Sequence, residues 1–221
     1  MPSVNTATDP YIPIGCFFFP KSILNPQTSA QTLANLSCSI QISQMIEKQH
    51  HNGDVESTAQ YSDCLLYRYS LKRVWEPSGE RLHFVMLNPS TATEVQNDPT
   101  VERCERRART LGYGAFCVTN IFAWRDTDPK KMRAATDPIG PHNDEAINKA
   151  CDWANETIAA WGIHGAHMQR GLYVKKLLAG LNKPIFHLGL SKDGHPKHPL
   201  YISYRHLPEP WEIYLKNDRT P

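Results

Sequence analysis

Four short apolar runs, each closing on a polar cluster, set the pattern of this chain. Leu82-His83-Phe84-Val85-Met86-Leu87 closes on Asn88-Pro89-Ser90-Thr91, and Ala115-Phe116-Cys117-Val118 closes on Thr119-Asn120. Thr157-Ile158-Ala159-Ala160 closes on Trp161-Gly162-Ile163-His164. Pro184-Ile185-Phe186-His187-Leu188 closes on Gly189, followed by Lys192-Asp193-Gly194-His195-Pro196-Lys197-His198-Pro199. Continuous apolar runs suit strands covered on both faces, so strands are predicted near 82–87, 115–121, 156–161 and 184–188. Helical periodicity fills the gaps. Thr100 can cap a helix to Leu111 that carries Val101, Cys104 and Ala108 on one face and stops at Gly112-Tyr113-Gly114. Asn143 or Asp144 can cap another that turns Ala146, Ile147, Ala150 and Trp153 inward. A third, over 170–181, carries Leu172, Val174, Leu177 and Leu178 and ends at Gly180. This rhythm predicts an α/β fold in three layers, α/β/α, around a four-stranded parallel sheet with right-handed crossovers. All four polar clusters then meet at one sheet edge, where open α/β folds place ligands.

The remaining segments read differently. Residues 1–60 are rich in Ser, Thr, Asn, Gln and Pro and poor in Lys and Arg. They are expected to form a partly ordered N-terminal extension, with a helix over 27–48 and a docking triplet, Phe17-Phe18-Phe19. The α/β domain is expected over 61–221. Leu65 to Trp75 alternates irregularly and reads as an edge strand, closed by the turn Glu76-Pro77-Ser78-Gly79.

Composition narrows the classes. A chain of 221 residues, 40% hydrophobic and 21% charged, suits one folded domain with an appendage. Its net charge of +2 excludes a polybasic tail, although Arg103, Arg106, Arg107 and Arg109 cluster and permit a local basic face. Six Cys occur without C-x-x-C spacing, so neither zinc nor another metal is expected. With no recognisable signal peptide or apolar span, a cytoplasmic protein without membrane contact is expected. No Gly-x-x-x-x-Gly-Lys loop and no Gly-x-Ser-x-Gly elbow occurs, which argues against P-loop enzymes and serine hydrolases.

The chemistry lies in the loops. Asn88 offers both donor and acceptor, suited to holding a water or reading a base edge. Asp98 can cap the following helix, and it is also the nearest carboxylate able to orient a hydrolytic water. Asn120 ends the second strand, and Phe122 and Trp124 behind it are either core or stacking platforms for a flat ring. Residues 126–144 form a long proline-rich loop of the kind that is usually functional or disordered. Lys192, His195, Lys197 and His198 bring imidazole and ammonium donors that can stabilise a developing anion or pair with phosphate.

At these residues the chain resembles the domain-of-unknown-function 1643 family, over about residues 64–211. The resemblance rests on Phe84 through Ala92, Asn97-Asp98-Pro99-Thr100, Ala160-Trp161-Gly162 and the stretch from Gly189 to Tyr201. More distantly it resembles the uracil-DNA glycosylase superfamily, whose four-stranded parallel sheet lies between helices. Leu87-Asn88-Pro89-Ser90 is similar to that superfamily's first motif, with Met86 where Gly is usual and Ser90 for the last Gly. His198-Pro199-Leu200 is similar to its His-Pro-Ser motif, with His195-Pro196-Lys197 as a second register. The Gly-Gln-Asp-Pro-Tyr-His motif of the uracil-specific branch is absent.

The resemblance implies base excision from double- or single-stranded DNA without a cofactor. A flipped nucleotide, its base modified or damaged (including the bulky modified bases of viral DNA), would enter the cleft. Asn88, helped by Asp98, would hold a water against C1′, and His198 would donate to the departing base. Ser90, Asn120, Phe122, Trp124 and Trp161 would contact the base, while Arg125, Lys192, His195 and Lys197 would contact DNA. Two alternatives stay open: a hydrolase or transferase on free nucleotides or nucleosides, and a non-catalytic nucleic-acid-binding module.

Overall fold

The computed structural model describes residues 45–181 and 183–213; the Phe17–Phe19 triplet and, up to residue 44, the expected helix over 27–48 lie outside them. The described chain runs β1 (Met45–Asn52), β2 (Val55–Ser62), β3 (Arg68–Val74), β4 (Arg81–Met86), α1 (Pro99–Thr110) and β5 (Ala115–Asn120). It continues through α2 (Pro129–Ala134), α3 (Asn143–Trp153), β6 (Glu156–Ala159), α4 (Arg170–Ala179), β7 (Ile185–His187) and β8 (Glu209–Pro210). One mixed sheet holds all eight strands in the order β1-β2-β3-β5-β4-β6-β7-β8. The expectation of a four-stranded parallel sheet is therefore corrected. The four strands read from the apolar runs do pair in parallel, as β5-β4-β6-β7. Antiparallel pairings extend them on both sides, through β1-β2-β3 and through β8.

The extra strands come from segments read otherwise. Met45–Asn52 is a strand rather than the end of a helix, and it returns through a two-residue turn at Gly53 (φ +62°) to pair with β2. The polar stretch MIEKQHHN lacks an apolar helical stripe, and as an outer strand it leaves nearly every residue exposed. β2 alternates instead, burying Ser57, Ala59 and Tyr61. Because this hairpin covers β3, β3 is an interior strand and not the expected edge. That placement buries Arg68, which donates Nη1 to Ala92 O at 2.9 Å and Nη2 to Asn120 Oδ1 at 3.4 Å.

Helices cover both faces. Leu82, Phe84 and Met86 of β4 pack with Val101, Cys104 and Ala108 of α1 on one side. Val85 and Leu87 pack with Met132 of α2, Ile147 and Cys151 of α3, and Val174 and Leu178 of α4 on the other. The interior strands are buried on both faces, hence the unbroken apolar runs. His83 interrupts that run, and the sheet accommodates it by placing hydroxyls against both ring nitrogens. Thr119 lies 2.8 Å from Nε2 and Thr157 3.3 Å from Nδ1. Complete burial pushes the His83 imidazole down to about 3, so it sits in the sheet as a neutral ring.

Of the two candidate caps for α1, Asp98 rather than Thr100 is the one used, its carboxylate accepting from Thr100 N at 2.9 Å and Val101 N at 2.8 Å, with Pro99 in the first turn. The start of α3 has no side-chain cap, and Asn143 instead donates to Asn120 O and Ile121 O at 2.9 and 3.0 Å. The long loop over 126–144 also contains a helix, α2, capped by Asp128.

Candidate active site

The carboxyl ends of β4, β6 and β7 open onto one cavity of about 610 Å³, within the range usual for small-molecule sites. Leu87 and Asn88 enter it from β4, and Trp161 to His164 enter it from β6. The segment after β7 supplies Ser191, His195, Lys197 and His198. Leu200, Tyr201 and Ile202 continue that wall, and Thr100, Thr127 and Pro129 close the remaining sides. No Asp or Glu lines the cavity among the described residues.

Asn88 is fixed by the chain around it. Its Nδ2 donates to Pro89 O at 3.1 Å and to Asp126 O at 2.7 Å. Two carbonyl acceptors settle which amide atom faces them, leaving Oδ1 as the acceptor on offer. His198 is fixed just as directly. It opens the short 3-10 turn Pro199–Tyr201, and its Nδ1 accepts from Leu200 N at 3.4 Å. Burial pushes its imidazole down to about 4 against the opposing pull of Asp98. A neutral ring accepting at Nδ1 carries its proton on Nε2. The cavity thus contains one oriented acceptor and one oriented donor.

The wall that bears His198 is clamped from α1. Arg103 donates to Pro199 O and Ile202 O at 3.3 and 3.1 Å. Arg107 donates to His206 O, Ser203 O and Ile202 O at 2.6, 2.9 and 3.3 Å. Arg106 and Arg109 pair with Glu102 and Glu105. All four arginines of the local basic cluster on α1 are engaged with this chain, two with carboxylates and two with backbone carbonyls.

Trp161 lies beneath the cavity, 1% exposed, its ring 5.6 Å from that of Trp211. Gly165 and Gly171 make room for it. A Cβ at Gly165 would fall 2.2 Å from Trp161 Cδ1, and one at Gly171 would fall 2.8 Å from Nε1. Gly162 turns the chain away after β6 with φ +71° and donates to Pro196 O at 2.7 Å, joining the walls from β6 and β7.

The structure thus gathers Asn88, Trp161, His195, Lys197 and His198. The other expected site residues lie outside the lining. Asp98 is buried beneath it, capping α1 and accepting from Ala92 N at 3.3 Å. Asn120 is buried with its Oδ1 on Arg68, so it does not face a base. Phe122 is fully buried in the core, and Trp124 packs edge-on to Tyr67 at 5.6 Å. Ser90 is half-buried in the loop after β4. Arg125 donates to Leu65 O and lies over Tyr61. Lys192 is exposed on the outer turn of the loop after β7. Asn120, Phe122, Trp124 and Arg125 share one cause: after β5 the chain turns inward to pack, and its continuation, at Thr127 and Pro129, returns to the cavity.

Sequence reasoning did not single out Thr100, Thr127, Ser191 or Tyr201 as site residues. Tyr201 is 84% exposed at the cavity wall, and it is the aromatic that stands where Phe122 or Trp124 was expected. Its position directly after His198-Pro199-Leu200 was the available signal. Among the described residues, no group of three or more His, Cys, Asp or Glu could hold a metal, and no helix is long and apolar enough to cross a membrane.

The family model described as "Protein of unknown function (DUF1643)" matches residues 68–200, from the start of β3 to the turn that carries His198. No curated protein and no solved structure matches the chain.

Proposed function

The chain belongs to the DUF1643 family, and from its site we propose that it hydrolyses the N-glycosidic bond of a nucleotide, as a DNA glycosylase acting on a modified or damaged base turned out of the strand. The observation that carries this reading is the pairing of Asn88 and His198 across one cavity. Asn88 Oδ1 accepts a hydrogen bond from a water and aims its oxygen at C1′. The C1′–N bond breaks with its electron pair leaving on the base, and the water's oxygen bonds to C1′. His198 Nε2–H hydrogen-bonds to the base as negative charge develops there; one of the water's two protons stays on the new C1′ hydroxyl and the other passes to solvent. A single preorganised donor of this kind contributes on the order of a hundredfold to a thousandfold in rate. Tyr201 offers its ring to the base, an interaction worth about 1–3 kcal/mol in comparable sites. Asp98 acts only as a positioning residue, holding the loop of Asn88 to the start of α1 through Ala92 N and Val101 N. Both His registers line the cavity; the bond from Leu200 N to His198 Nδ1, which fixes that ring, favours His198 as the donor. The distant likeness to the uracil-DNA glycosylase superfamily fits this reading through the same two motifs.

A second reading is hydrolysis of free nucleotides. It is favoured by the paired arginines of α1 and by Arg125, which are committed to this chain rather than offered to a duplex. The test incubates the protein with DNA of several sources, modified phage DNA among them, and with nucleosides and nucleotides. Released base and alkali-labile sites that drop at least a hundredfold in Asn88→Ala and His198→Ala support the glycosylase. Release from free nucleotides alone supports the second reading. Binding of DNA without any release overturns both in favour of a non-catalytic module.

A further inference from the structure

The segment after β7 is a small hairpin with a sorted face. Leu190 and Pro196 form a bridge across it. Ser191 N donates to His195 O at 2.8 Å, and Lys197 N donates to Gly189 O at 2.9 Å. Side chains alternate across such a pair, so Gly189, Ser191, His195 and Lys197 share one face, with Leu190 and Pro196 on the other. Ser191, His195 and Lys197 line the cavity. Gly189, with φ +92°, adds no side chain between them; a Cβ there would meet Lys197 Cδ at 3.5 Å. Ser191 Oγ accepts from His195 N at 3.0 Å, which leaves its own hydrogen to donate. The Lys197 ammonium has no carboxylate partner among the described residues.

The geometry points to a phosphate subsite on this face, in which Ser191 Oγ, His195 and the Lys197 ammonium hold a phosphate monoester or diester inside the cavity. Three donors converge, the lining contains no carboxylate to repel an anion, and the hairpin's own backbone bonds hold the donors in place before the ligand arrives. Asp98 accepts from three backbone N–H groups, and Asp126 and Asp128 each accept from one. Asp193 is exposed on the outer turn beside Lys192 and is not part of the lining. Lys192 lies on the outer turn and takes no part. The inference deepens the hydrolase reading, on which it rests for the nature of the ligand. It replaces a neutral base as the recognised unit by a nucleotide whose phosphate is gripped beside Asn88 and His198.

The test is calorimetric titration of the full chain at fixed ionic strength. The probes are inorganic phosphate, a deoxynucleoside 5′-monophosphate, the matching nucleoside and a short single-stranded oligonucleotide. The monophosphate is expected to bind at least about tenfold tighter than the nucleoside. Lys197→Ala and Ser191→Ala are expected to remove most of that advantage, and Lys192→Ala to keep it. Both Lys197 and Lys192 are exposed, so neither substitution threatens the fold. If only the oligonucleotide shows the Lys197-dependent gain, the phosphate belongs to a strand; if the monophosphate shows it, the ligand is free. Equal binding of nucleoside, monophosphate and oligonucleotide, or gains that survive Lys197→Ala, overturn the subsite. Base release measured on the same preparations is a separate readout: its persistence alongside such a failure would leave the hydrolase reading standing.

Discussion

His198 can be tested without knowing the substrate, because its burial leaves a signature in stability. In the folded protein its imidazole is pushed down to about 4, from an ordinary 6.5 in the unfolded chain. With the folded value depressed, its contribution is fully present above the unfolded value and is lost as pH falls toward the folded one. At about pH 4.5 the unfolded chain has taken up a proton that the native chain still largely refuses. Two units at about 1.4 kcal/mol each, less the small fraction protonated in the native state, amount to roughly 2–3 kcal/mol. The perturbation is His198→Asn. Asn is a favoured N-cap, so the acceptor that Leu200 N needs is kept while the titrating ring is removed. Urea unfolding of both proteins at about pH 7 and about pH 4.5 gives four free energies. Asp98, the charged group that faces His198, is unchanged in both, and the other titrating groups cancel in the double difference. The parent is expected to lose roughly 2–3 kcal/mol more than the variant on acidification. Equal losses would refute the argument, for the ring would then be solvated and the neutral Nε2–H donor would have no physical basis.

Three further outcomes follow from the packing around the cavity. Arg107→Met removes three bonds to backbone carbonyls of the 202–206 segment; it should lower stability by about 2–4 kcal/mol in urea and weaken ligand binding, while Arg106→Ala on the exposed side leaves the unfolding midpoint unchanged. Gly165→Ala places a methyl group 2.2 Å from Trp161 Cδ1; a cost of about 1–3 kcal/mol and a shifted tryptophan emission spectrum are expected, and an unchanged spectrum would count against the seating of that ring. Asn88→Asp turns a carboxylate oxygen toward Pro89 O and Asp126 O; a loss of about 2–4 kcal/mol at neutral pH is expected, partly restored as acid converts the carboxylate into a donor, whereas a midpoint that does not respond to acid would contradict the assigned amide orientation.

The apolar runs determined much by themselves. A strand buried on both faces is apolar at most positions, so β4, β5, β6 and β7 were legible, and so was their delivery of Asn88, Trp161 and His198 to one edge. Helix α1 was legible from its apolar stripe and its stop at Gly112. The rest depended on partners far along the chain. Met45–Asn52 has no preference of its own that outweighs pairing with β2, so only the completed sheet makes it a strand and turns β3 from an edge into an interior position. That cover buries Arg68 against Asn120, which in turn withdraws Asn120 from the site. Phe122 and Trp124 carry the same chemistry as a stacking platform, but whether an aromatic ring packs inward or faces a cavity is set by which neighbours fill the space around it. Side-chain types marked the edge where chemistry is possible; the three-dimensional packing decided which of them reach the hollow, because burial is a property of the surroundings and not of the residue.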